Sequence, residues 1–165
     1  MGLAEIPRND ERAARVNMSL DCVIGHSITR LRRIFYVAQG TIEREKGGLE
    51  LVTSNGVAIL FDSGPDGEAV TAKLKSWVDP FEGELSDENR AWVEEAGKWT
   101  AFDVSREADY LLLIGAVIIG AEVRLSEWRN PTGVTLTTSA GRIVANTEWD
   151  EFEVRIEPVS PERIR

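Results

Sequence analysis

The chain has 165 residues, 42% of them apolar and 28% charged, with a formal net charge of −9. These values exclude a disordered chain and predict one soluble domain that buries about two-thirds of the surface its unfolded form exposes. A single cysteine, Cys22, excludes an internal disulfide and any cysteine-pair zinc or redox motif, and a single histidine, His26, excludes a multi-histidine metal centre.

The longest uncharged apolar run, residues 110–121, is twelve residues long, short of the roughly 20 that a spanning helix needs. No membrane contact is expected, and without a recognisable leader the expected location is cytoplasmic. The charge is unevenly spread. Residues 1–46 carry eight basic and six acidic groups, residues 47–105 four and twelve, and residues 106–165 seven and ten. An acidic middle third repels phosphate backbones, so no nucleic-acid binding is expected, and it attracts a basic protein partner.

In chain order, residues 1–17 lack apolar periodicity and predict a loosely ordered arm, with Asn9 or Asp10 capping a short helix over 11–16. From Leu20 the pattern turns to short apolar runs: Cys22 to Ile24, then Ile28 to Val37, then Leu49 and Leu51. Asn55-Gly56 predicts a hairpin into 57–61, because this pair accepts the positive φ angles of a tight turn. Pro65-Asp66-Gly67 predicts the next turn, ahead of a strand over 68–77 that completes a three-stranded meander.

Asp79-Pro80 then breaks the sheet. Ser86 or Asp87 caps a predicted helix over 86–96 that Gly97 ends, with Leu85, Trp92, Val93, Ala96 and Trp99 near one face. Residues 99–104 predict a strand. The segment 110–125 predicts a longer one, with Ile119, Ala121, Val123 and Leu125 inward and Glu122 and Arg124 outward. Strands over 134–138 and 142–145 follow, then Phe152, Val154 and Ile156 alternating with charges, and a loose tail from Pro158.

Residues 48–56, GLELVTSNG, align without a gap on residues 133–141, GVTLTTSAG. Upstream, 24–28 parallels 114–118, and downstream Glu68-Ala69 parallels Glu153-Val154. The expected fold is therefore mostly β, of the α+β class. Two related antiparallel halves, about 20–78 and 110–157, pack as a pseudo-twofold sandwich or barrel within one domain over 18–157, with the helix near 86–96 as a cover.

No catalytic residue, metal ligand or cofactor is assigned. His26 lies directly beside Ser27, and neighbouring strand residues point to opposite faces. The stretch from Asp62 fails as a calcium loop, with Gly64 third and Lys73 twelfth. Arg30, Arg32 and Arg33 with Phe35 and Tyr36 read as a solvated strand face.

The candidate binding surface is the acidic loop and helix that bear Trp77, Asp79, Phe81, Glu82, Glu84, Glu88 and Glu95, since aromatics ringed by charge suit a protein interface. In charge and in lacking a catalytic set, the chain is similar to small acidic bacterial proteins that act by binding, such as immunity proteins that neutralise basic toxins. The expected function is a non-enzymatic interaction module. The alternatives are a small-molecule-binding barrel or hydrolase with a cavity between the halves, and a self-associating homodimer.

Overall fold

A computed structural model describes residues 9–64 and 67–158. The elements in chain order are α1 (Asn9–Asp21), β1 (Ile28–Ala38), β2 (Thr41–Glu43), β3 (Leu49–Thr53), β4 (Ala58–Ser63), β5 (Val70–Lys73), α2 (Asp87–Ala96), β6 (Lys98–Asp103), α3 (Ala108–Leu111), β7 (Ile118–Leu125), β8 (Pro131–Thr138), β9 (Gly141–Glu148) and β10 (Glu151–Pro158). The strands form two antiparallel sheets. One runs β2-β1-β3-β4-β5 with β6 also on β1, and the other runs β10-β9-β8-β7. Both stay open, so the molecule is a sandwich and not a closed barrel.

The internal repeat is structural, and its matched residues extend upstream of Ile24 and Ile114 to Leu20 and Tyr110, the expected starts of the two halves. Leu20, Val23, Gly25 and Ile28 match Tyr110, Leu113, Gly115 and Ile118 ninety positions later. In each half a helical turn buries the first two of these matched residues, a glycine reverses the chain, and the strand begins on a buried isoleucine. Gly25 and Gly115 have φ of 86° and 85°, a region that L side chains enter only at a cost.

The two copies lock together reciprocally. The Gly25 N–H donates to the Ile118 carbonyl and the Gly115 N–H to the Ile28 carbonyl, both at 2.7 Å, with Ser27 bridging Val117 between them. Further out, the Ser54 N–H donates to the Ser27 carbonyl at 2.8 Å and the Ser139 N–H to the Val117 carbonyl at 2.9 Å. These paired bonds mark a local twofold through the 27–117 bridge.

One interior serves both halves. Leu31, Leu51, Ile59 and Phe61 from the first sheet pack in a single cluster with Val134, Leu136, Ile143 and Phe152 from the second, and Val16 and Leu20 of α1 join it. Burying such side chains contributes about 1.5–3 kcal/mol each, which neither amphipathic sheet obtains alone.

Several expectations need correction. Of the arm expected over 1–17, residues 1–8 lie outside the described residues and 9–17 are not loose, because α1 runs to Asp21 and its Val16 and Leu20, spaced four apart, insert into the core. Residues 22–24 and 112–115 are turns and not strand, since an i, i+3 apolar pattern over so few residues also fits a helical turn. A bulge between Ile118 and Gly120 turns Ile119 outward, and Leu125 is likewise exposed.

The 68–77 strand shortens to Val70–Lys73. By sheet register, Phe61 faces Ala72 as Ala145 faces Val154, so Thr71-Ala72 corresponds to Glu153-Val154, three residues on from the expected match. Of the predicted turn at 65–67, positions 65 and 66 lie outside the described residues, as does the tail beyond 158.

Candidate binding surface

The outer face of the first sheet is crossed by residues 74–97, which carry the chain from the edge strand β5 to β6. Glu50 fixes this crossover. Its side chain lies on that outer face, fully buried, with Arg32 donating from Nε at 2.7 Å and from Nη2, and Arg30 donating at 3.1 Å. The Trp77 N–H donates to Glu50 Oε2 at 2.7 Å, and Arg32 returns a bond to the Trp77 carbonyl at 3.1 Å. Burial pushes the Glu50 carboxyl up, but the bonds from Arg32, the Trp77 N–H and Arg30 outweigh it and hold it below the usual carboxylate range.

The arginine run is thus no solvated face. Arg32 serves Glu50, while Arg33 points inward, is buried, and donates to the Gly47 and Gly48 carbonyls and to the Tyr110 hydroxyl, with its guanidinium over the Phe35 ring.

A second anchor follows. Lys98 Nζ meets Asp79 Oδ2 at 2.5 Å, and the Phe81 N–H donates to Asp79 Oδ1 at 2.8 Å. Burial raises the Asp79 carboxyl, and these two donors bring it below its ordinary range. The Phe81 ring packs on Trp92 of α2, with centroids 5.6 Å apart. Helix α2 itself forms as its sequence demands. The Ser86 side chain accepts from the Asn89 N–H, Gly97 closes the C-terminus, and Asp87 and Glu88 favour the positive end of the dipole. Yet α2 buries no residue, and Trp92 is 54% exposed. Its apolar stripe is a shallow docking face.

The expected site residues therefore divide. Trp77, Asp79 and Phe81 hold the crossover in place, whereas Glu82, Glu84, Glu88 and Glu95 stand exposed and, among the described residues, make no ion pair.

Beside the crossover lies a hollow of about 280 Å³ that the sequence did not announce. Tyr36 and Trp99 form one wall, edge to face with centroids 5.3 Å apart, and Asp62 and Ser63 lie at the end of β4. The β9–β10 hairpin supplies Asp150 and Glu151 opposite. Burial raises the Asp62 carboxyl, opposed by the Ser63 N–H and the charge of Lys73. A further hollow of about 400 Å³, lined by Lys73, Lys75 and Trp77, shares Asp62 and Ser63 with the first. The first draws its lining from both halves, the second from the first half alone.

At the hairpin tip, Trp149 and Asp150 have φ of 53° and 64°, and Trp149 is 89% exposed. The two form a left-handed two-residue turn with no glycine, which turn statistics do not select. Asn55-Gly56, the pair that statistics do select, sits in a longer connection where only Gly56 has positive φ.

Among the described residues, no group of three or more His, Cys, Asp or Glu side chains has metal-holding geometry, and no helix is long and apolar enough to cross a membrane. Compared with protein-family models, with curated proteins and with solved structures, the chain matches none.

Proposed function

We propose that this chain is a non-enzymatic interaction module that binds a basic protein through the acidic face of its crossover. One observation carries the reading: Glu82, Glu84, Glu88 and Glu95 are exposed and unpaired among the described residues, on a segment whose backbone is tied down at Glu50 and at the Asp79–Lys98 pair. Fixed, uncompensated carboxylates steer a cationic partner and are not screened by neighbours of their own chain. Exposed Trp92 beside them supplies the aromatic contact that protein interfaces favour. An immunity- or inhibitor-type role against a basic bacterial protein, in the cytoplasm, belongs to the same proposal and draws its support from this charge.

The test is capture of partners from native lysate at low and at high salt, comparing the wild type with the triple variant Glu82→Lys, Glu84→Lys, Glu95→Lys, whose helical substitution lies in the last turn of α2, where a cation suits the dipole. None of these side chains anchors the fold, so the variant should fold normally. The expected result is a basic protein that is retained at low salt by the wild type alone. Equal retention by the triple variant removes this face from consideration.

A further inference from the structure

We infer that the hollow between the Tyr36–Trp99 pair and the β9–β10 hairpin is a seat for an arginine side chain of a basic protein partner. The inference rests on the interaction reading above but places the specific contact elsewhere on the molecule.

The lining is unequal in charge. Glu43, Asp62, Asp150 and Glu151 face one lysine, Lys46. That lysine already shows what the carboxylates do with a cation: its ammonium lies 2.5 Å from Glu151 Oε1 and 3.7 Å from Glu43 Oε1, drawn across the opening by both. Asp62 and Asp150 have no such partner among the described ion pairs. Asp62 is the more demanding of the two, because its charge is partly desolvated and the Ser63 N–H satisfies one oxygen only.

The wall selects among cations. Trp99 is 46% exposed, and a planar guanidinium stacks on an indole face while forking to a carboxylate, which a compact, strongly hydrated ammonium does less well. Volume agrees, since about 280 Å³ holds one long side chain and not a folded ligand. The walls are stiff. The Tyr36 hydroxyl donates to the Ala96 carbonyl, Gly47 N–H bonds the Phe152 carbonyl at 3.1 Å, and β6 pairs β1 from Val37 to Arg32.

The bond to Ala96 also joins the hollow to the end of α2, so one partner can cover both the seat and the crossover. Next to the opening, Trp149 projects from a turn whose backbone disfavours a large side chain, and aromatics held at interface centres commonly dominate binding.

The test is calorimetric titration of the full chain with a tetra-arginine peptide and its citrulline counterpart in about 0.15 M salt, where exposed charges further apart than roughly 8 Å are screened. The expected result is saturable binding of the arginine peptide and none of the citrulline peptide. Glu151→Gln and Asp62→Asn should each weaken binding about tenfold, equivalent to about 1.4 kcal/mol.

Glu122→Gln removes the same charge from the far sheet and should leave binding unchanged. A wild type that does not bind the arginine peptide, or an equal loss in Glu122→Gln and Glu151→Gln, overturns the seat. The triple crossover variant separates the two readings: arginine binding retained there supports the seat independently of the crossover, and arginine binding abolished there overturns it.

Discussion

The two halves share a ladder and differ in what lies over it. Glu50 in β3 and Thr135 in β8 occupy the same place in GLELVTSNG and GVTLTTSAG, both on the outer face of their sheet. In the first half the crossover covers that face, so a carboxylate there is fully buried and held by Arg30, Arg32 and the Trp77 N–H. In the second half no described segment crosses that face, and Thr135 is half-buried. The inward positions scarcely change, with Leu51 matched by Leu136 and Thr53 by Thr138, all buried. A duplicated strand pattern thus fixes the shared interior, and an insertion decides the chemistry of the outside.

The sharpest break in this comparison is Glu50→Ala against Thr135→Ala. Removing Glu50 leaves Arg32 without its anion and releases the crossover, an expected loss of about 3–5 kcal/mol in denaturant unfolding. The matched threonine change should stay within about 0.5 kcal/mol. Equal losses would mean that the crossover is not anchored as described.

Next in size are Gly25→Ala and Gly115→Ala. Both glycines have strongly positive φ, and a Cβ would meet nothing within 4 Å at either, so the cost is the backbone alone, about 1–2 kcal/mol each. The two losses should agree, and a several-fold disparity would show that the local twofold is not energetically real.

The smallest effect sharpens the contrast within the first half. Glu50 is held below and Asp62 pushed above the ordinary carboxylate range. For Glu50, the stabilisation is present above its unfolded pKa and is lost as pH falls through the lower folded value. For Asp62 the sign reverses. Folding disfavours its charged form, so its penalty is present at neutral pH and disappears as pH falls through the raised value toward the unfolded one, about 3.9. Asp62→Asn should therefore raise the melting temperature at pH 7, lose that gain in acid, and weaken arginine binding. A melting temperature unchanged or lowered at pH 7 would show that the carboxylate is better solvated than its place in the hollow implies.

Much of the fold was legible because its signals are local. Alternation of Leu49, Leu51 and Thr53 names a buried face, Ser86 and Gly97 bracket a helix through their own backbone chemistry, and the nine-residue repeat gives the pairing of the halves. The acidic crossover was legible in composition, but its division into anchors and exposed carboxylates was not. Whether Asp79 is free depends on Lys98 and whether Trp77 is fixed depends on Glu50, partners 19 and 27 residues distant in the chain.

The hollow was invisible for the same reason, since Tyr36, Asp62, Trp99 and Glu151 share no sequence neighbourhood. Its one local hint was weak: Asp150 tolerates a left-handed turn, but Trp149 does not advertise one.

By itself, then, the sequence determined the strand periodicity, the duplication, the acidic middle and the lack of cysteine or histidine clusters, all properties carried by neighbouring residues or by totals. Tertiary structure alone decided which carboxylates are paired, which tryptophans face water and where a hollow opens. Those outcomes depend on burial and on distances between chain-remote groups, and the energy of a charge is set by its surroundings rather than by its identity.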